Sequence, residues 1–452
     1  MHYLRIRIVI KNIVCIIWYI TSKIIENNKM KDLLKITNIK NNYFFYLLFL
    51  FIFLVFTSIF VLSYIKIVNF WSFSQSHMNY SEGFIKRGLF GTLMFFFEEK
   101  LNVSTRIYFS TFFMFFYSLN IILFFNLIKK YLSNKLLFTF LALCPTLILF
   151  PFNDLGGYQR LDVLSITSIL IHASISQLFY EKKIDEKRYQ KILFYTIFPF
   201  IFFSILFHEI QLFSLPFHFF VTWKIVKKGF FNTIKKYSVF LIPSFLVFFI
   251  YPDPDSIINL SKKIDGDIWS DAYLFHTKNI GLDHYFYEIS TNLLITYNLK
   301  IHLMMIVLAI VPFFLMLYFF EKKYLLKNNE KNFKFLIFLT IPYLAGLAIG
   351  DFGRWVNIMS FAAFGYVSQF PLKERLKNYN LFNRDIYKFI INFALLSVVI
   401  FYLFFVRIPH CCNLQKLNIT LYGGIIDKSV AILNVFFNTN RSEHFNINSR
   451  FQ

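Results

Sequence analysis

The chain has 452 residues, of which 57% are hydrophobic and only 16% charged, with a mean hydropathy of +0.54. A soluble protein of this length needs far more charge to cover its surface, and a transmembrane β-barrel needs alternating rather than continuous apolar runs, so both classes are excluded. The formal net charge of +22 comes from basic segments beside apolar runs. The positive-inside rule accounts for them, and with no nucleic-acid motif nearby they imply no nucleic-acid partner.

The fold class read from these runs is all-α: a polytopic helical integral membrane protein with about eleven transmembrane helices. Residues 1–42 form a basic cytoplasmic segment. Its apolar run is interrupted by Lys11 and too short to span, and Met30 offers an alternative start. A single transmembrane domain follows over 43–406. Its expected spans are 43–65, 107–127, 136–150 (which contains Pro145) and 163–180, and then 237–251, 299–320, 333–350, 355–370 and 389–405. The run 192–223 is long for one span and short for two. Both of its flanks are basic, so it is read as going out and back with a turn near His208-Glu209; one tilted span is the alternative and inverts everything downstream. The outer loops are 66–106 and 252–298, and 407–452 is a polar extracytoplasmic tail. This topology puts the protein in the cell (plasma) membrane, N-terminus inside and C-terminus outside. Its partner is the lipid bilayer.

Once lysine bias sets the orientation, the charged motifs that need another explanation fall on the outer side. In Ser81-Glu82-Gly83-Phe84-Ile85-Lys86-Arg87-Gly88-Leu89-Phe90-Gly91 the glycines suit close backbone packing or a bent return into the membrane. Glu82 is a candidate general base, and Lys86 and Arg87 are candidate phosphate ligands; snorkelling interfacial residues are the plainer reading. The turn 153–162 carries Arg160 and Asp162. N-capping is the default role of Asp162, whereas an outer arginine has no default. His208-Glu209 lacks the zinc spacing His-Glu-x-x-His, since position 212 is Leu. Either the two hydrogen-bond each other, or they handle a proton or orient a substrate. Between two apolar runs stands Gly350-Asp351-Phe352-Gly353-Arg354-Trp355. It is read as a tight turn in which Asp351 and Arg354 either pair or line a polar site.

No metal or other cofactor is expected. Cys15, Cys144, Cys411 and Cys412 form no metal pattern. Asp253 and Asp255 in Pro252-Asp253-Pro254-Asp255 are spaced to share a divalent cation, but solvated loop acid is the plainer reading; this stretch is expected to be extended and non-helical.

The Gly-Phe-Ile-Lys-Arg-Gly-Leu-Phe-Gly and Asp-Phe-Gly-Arg-Trp strings, with the topology, resemble multispan membrane proteins of bacterial surface-polysaccharide loci, a group that includes GT-C glycosyltransferases and O-antigen polymerases. The resemblance implies an enzyme that transfers or polymerises sugars carried on a polyprenyl phosphate. It casts Glu82 or Asp351 as the base on the acceptor, and Arg87, Arg160 and Arg354 as ligands of the phosphate or pyrophosphate. It departs from the GT-C pattern in its short first loop, which lacks paired acids, and in having no large soluble domain. Two other classes stand beside it: a transporter or flippase, which needs polar residues at mid-membrane, and a non-catalytic assembly subunit, in which the outer charges pair with one another.

Overall fold

The computed structural model describes residues 39–65, 70–85, 87–133, 135–153, 159–226, 229–250, 254–263 and 352–370, with the isolated position 397. Outside the described residues lie the Met30 start, Lys86, most of the second outer loop, the spans 299–320, 333–350 and 389–405, Asp351 and the tail. The chain divides into two compact units, Met1–Ile52 and Phe53–Gln452.

Every regular element among the described residues is helical, and no strand occurs there. In order they are α1 (Ile39–Ile65), α2 (Phe70–Gln75), α3 (Gly88–Leu101), α4 (Thr105–Ile128), α5 (Lys135–Leu143), α6 (Phe150–Asn153), α7 (Asp162–Tyr180), α8 (Glu186–Ile192), α9 (Phe198–Phe207), α10 (Leu215–Ile225), α11 (Phe230–Tyr237), α12 (Leu241–Phe249), α13 (Pro254–Lys263) and α14 (Phe352–Ser368). Among the described residues three stretches are long and apolar enough to cross a membrane: Thr105–Leu132, Asp162–Tyr180 and Glu186–Phe207. Length and composition thus fit a membrane-embedded helical protein. The second unit carries large apolar side chains on its outside, with Phe194 62% and Phe203 54% exposed along the Glu186–Phe207 stretch. Such a surface suits lipid rather than water.

The packing centres on α7, which α14 and α4 line most extensively. Its buried Ser165, Thr167, Ser168 and Ser176 are small, which lets neighbouring helices approach closely, as membrane helices do. Three side-chain contacts set the direction. Arg354 meets Asp162 at one end of α7 and α14, Asn120 of α4 donates to the Val163 carbonyl at 3.2 Å, and Lys130 donates to the Phe370 carbonyl at 2.9 Å. Therefore α4, α7 and α14 run parallel. At the far end Lys130 also bonds the Ser368 carbonyl, so a cation caps the negative end of the α14 dipole. Lys224 joins that end through Tyr366 at 2.7 Å, its ammonium 4.4 Å from the Phe370 ring centroid.

The run 192–223 goes out and back. α8 passes through a π-helical turn, Leu193–Ile197, into α9, which reaches the Asp162 end of α7. The chain leaves the helix at His208, makes a 3-10 stretch over Glu209–Ser214 and returns as α10, where Pro216 occupies the first turn and fixes a helical φ without needing a donor. Gln211 contacts Leu161 and Ser165, and His218 contacts Ser168 and His172, so α10 runs alongside and parallel to α7. The basic segments at both flanks of the hairpin thus share an end, opposite the turn at His208.

Four expectations are corrected. The span 136–150 is not one helix: α5 stops at Leu143, and turns precede α6, because Pro145 has no N–H to give and clashes with the preceding turn. The apolar stretch 237–251 becomes a 3-10 turn and the short α12. Pro254 and Asp255 are not extended but open α13, with Pro254 as its first residue, a position that suits proline. Gly353 is not in a turn, since α14 already begins at Phe352.

Residues 76–80 fold back onto α3. The Tyr80 N–H donates to the Thr92 hydroxyl at 2.8 Å, and Asn79 accepts from the Ser81 N–H at 2.9 Å. Gly91 permits this, because a Cβ there would run into the backbone carbonyls of Met78 and Ser76. Gly91→Ala is expected to cost about 1–3 kcal/mol of stability through that overlap. It should show as a lowered melting temperature of the detergent-purified chain, with an unchanged melt as the contrary result.

Candidate functional site

The end of the helices opposite the basic cap holds a small cavity of about 20 Å³, room for about one water. Among its lining residues are Arg87, Arg160, His208 and Arg354, from four segments far apart in the chain. Ser72, Gln75, Ser76 and Gln159 add neutral polar groups, while Phe90, Phe109 and Phe113 form an apolar wall. That wall is braced by edge-to-face contacts, Phe90 with Phe112 at 4.7 Å and Phe109 with Phe113 at 4.8 Å between centroids.

Two of the arginines are held by carboxylates. Arg354 donates from Nε to Asp162 Oδ2 and from Nη2 to Asp162 Oδ1, both at 2.5 Å, in a bidentate fork. Arg87 makes the same fork with Glu209: Nε donates to Oε2 at 2.9 Å, and Nη2 bonds Oε1. All four side chains are largely buried, at 7–14% exposure, so neither charge is tolerable there without the other. Arg160 lines the same cavity, so three guanidinium groups gather at it. Planar guanidinium forks match the oxygens of a phosphate or carboxylate.

The pairings differ from those expected. Asp162 is the first residue of α7 and does not cap it; the preceding Leu161 holds the cap position without a side-chain bond. A bidentate arginine outweighs a capping bond, which is worth about 1 kcal/mol. Arg354 is buried in α14 and committed to Asp162. The other half of the expected Asp351–Arg354 pair lies outside the described residues. His208 and Glu209 do not chiefly bond each other, being 3.4 Å apart. Instead His208 Nδ1 accepts from the Ile210 N–H at 3.2 Å, which places the proton of the neutral ring on Nε2. Glu82 is half-buried in the turn before α3 and does not line the cavity.

Gln159 was not singled out by its residue type. Its side chain is 1% exposed, it lines the cavity, and its Oε1 has no hydrogen-bond partner among the described residues. A ligand bearing a hydroxyl or amide donor would satisfy it. Gln159 and Arg87 both adopt left-handed backbone, φ 57° and 63°, which is unfavourable for side chains with a Cβ and tends to collect at ligand sites. The polar turn in the sequence signals its neighbourhood but not this atom.

Comparison with protein-family models, with curated proteins and with solved structures found no match.

Burial by itself would raise the Glu209 carboxyl, but the guanidinium of Arg87 overrides it and holds Glu209, just beyond the end of α9, well below the usual carboxylate range. A carboxyl depressed in the folded state contributes stability above its unfolded value, about 4.3, and loses it as pH falls through the folded value. The melting temperature is therefore expected to hold from neutral pH to about pH 5 and then fall. Arg87→Met should cost about 3–5 kcal/mol by stranding the Glu209 charge, whereas Arg87→Met with Glu209→Leu should recover most of that and flatten the acid limb. Equal losses in the single and double variants would show that the pair is not what stabilises this end.

Proposed function

We propose that the chain is an integral-membrane enzyme that transfers or polymerises lipid-linked sugars at the extracytoplasmic face of the cell membrane, with the arginine cavity as the seat of the substrate's phosphate. The observation that carries this reading is the meeting of Arg87, Arg160 and Arg354 on one cavity wall. Guanidinium forks suit phosphate oxygens, and positive groups held in place before reaction stabilise charge as it develops on a departing phosphate. The neutral groups, Gln159 above all, suit the hydroxyls of a sugar, and the phenylalanine wall suits an apolar carrier. Asp351, three positions before Arg354, is the proposed base for the acceptor hydroxyl. The full chain then has about eleven spans, a cytoplasmic N-terminus and an extracytoplasmic tail. No metal has a proposed role.

The transporter or flippase reading has a specific observation in its favour: a pair of buried histidines, His172 and His218, at mid-helix. Ionisable groups at that depth commonly mark a transport or proton pathway.

Deletion of the gene, followed by profiling of surface glycans and lipid-linked precursors, tests the transferase reading. A shortened glycan or an accumulated lipid-linked unit is expected, and an unchanged profile would remove the transferase reading. A complementing copy carrying Arg160→Ala is expected to lose about 10²-fold in glycan output, the usual effect of removing one charge-stabilising group, with its level in the membrane unchanged. Full output from that copy would take Arg160 out of the site.

A further inference from the structure

Helix α11 divides into two halves around its axis. At about 3.6 residues per turn, Phe230, Phe231, Ile234 and Tyr237 fall on one half, and Asn232, Lys235 and Lys236 on the other. Part of the apolar half meets the protein: Tyr237 is buried, and Phe230 packs against Trp223 with 5.3 Å between ring centroids. The rest does not, since Phe231 is 82% and Ile234 43% exposed. A helix with phenylalanine on one half and lysine on the other suits the plane between hydrocarbon and water.

Two neighbours fix its place. On α10, Phe219 lies between Phe230 and Tyr237, with ring centroids 5.4 and 5.5 Å away. Those two residues are about 10 Å apart along α11, yet they meet the same turn of α10, Tyr237 also through the Thr222 hydroxyl at 2.9 Å. Helix α11 therefore crosses α10 at one level instead of running along it. On the other side Lys236 donates to Gln190 of α8 at 2.8 Å. That level is where the Glu186–Phe207 stretch changes character. Lys187, Arg188 and Lys191 are exposed there, and one turn further on the exposed side chains are Phe194 and Tyr195. Helix α11 thus lies at a polar–apolar boundary that α8 marks independently, at the basic end of the helices.

The charge around this face is one-sided. Residues 181–191 and α11 together carry seven lysines and arginines and three acids. Each acid is engaged locally: Glu181 bridges Lys183 at 2.6 Å, Asp185 accepts from the Arg188 N–H at 2.7 Å, and Glu186 accepts from Gln190 at 2.9 Å. We propose that the outer face of α11 and the adjoining basic side of α8 form a docking surface for anionic phospholipid. Phe231 and Ile234 sit among the upper acyl chains. Lys235 and Lys191, which flank the Lys236–Gln190 bond on the two helices, take headgroup phosphate oxygens. The occupant is a lipid because exposed aromatic carbon and ammonium groups stand side by side at one level, the order of acyl chain and charged headgroup in a leaflet. The excess of lysine makes it an anionic lipid, since a zwitterionic headgroup brings its own cation to the same residues. The arginine cavity takes no part, so this surface does not rest on the function proposed for that cavity.

The test uses the full chain carrying Phe231→p-benzoylphenylalanine, reconstituted in bilayers of equimolar phosphatidylglycerol and phosphatidylcholine. After irradiation, mass spectrometry identifies what is joined to the peptide that contains position 231. The expected product is a lipid adduct in which phosphatidylglycerol exceeds phosphatidylcholine by at least about threefold. That excess should fall to parity when Lys191→Gln and Lys235→Gln are added, and in concentrated salt, which screens exposed charge. Equal adducts of the two lipids without the lysine changes would overturn the proposal, as would an excess that survives both changes. A cross-link to another segment of this chain or to a second copy, or no adduct at all, would equally overturn it. Phe231, Lys191 and Lys235 are all exposed, so the variants leave the packing of α11 in place.

Discussion

Charge enters an apolar interior only in the company of its opposite, and the described part of this fold is organised by that constraint. Asp162 and Arg354 are 192 positions apart, and Arg87 and Glu209 are 122 apart, yet each pair is buried at one end of the helices. One fork ties the start of α7 to the start of α14. The other ties the left-handed residue before α3 to the break between α9 and α10. Removing either partner strands a largely buried charge, so the four segments are pinned together. The lysines do the reverse task at the other end, where Lys130 and Lys224 settle on carbonyl oxygens, a phenol and an aromatic face.

That pinning also builds the cavity. Beside the two forks the cavity is lined by Arg160, by neutral hydrogen-bonding groups and by a wall of phenylalanine. The helix break at His208–Ser214 takes part in this. A continuous helix there would carry Glu209 away from Arg87, whereas the extended backbone at His208 returns the chain and leaves its imidazole on the cavity. The two functional readings separate by depth. An anion seat at the end of the helices suits chemistry on a lipid-borne phosphate, and a buried histidine pair at mid-helix suits a transport pathway.

Much of the helix pattern was legible in the residues. The runs 107–127 and 163–180 fall almost on α4 and α7, and the basic flanks of 192–223 disclosed the return at His208. The errors share a cause. Pro145, Pro254 and Gly353 were weighed by local propensity, and each is decided by the hydrogen bonds its own position leaves open. Asp162 was given a cap because capping is the local option, whereas its partner Arg354 lies 192 positions away. His172 and His218 drew no notice as single histidines in apolar runs 46 positions apart.

By itself, the sequence determined the class of solvent this protein meets, the helical period of its segments, which ends are basic, and which charged residues lack an ordinary reason to be there. These follow from composition and from neighbours along the chain. Only the tertiary structure decided the partners: that Arg354 takes Asp162, that Arg87 takes Glu209, that the Gln159 oxygen meets no partner among the described residues, and that His172 faces His218. Pairing energy depends on distance in space and on the water removed around each group. Neither is a function of separation along the chain.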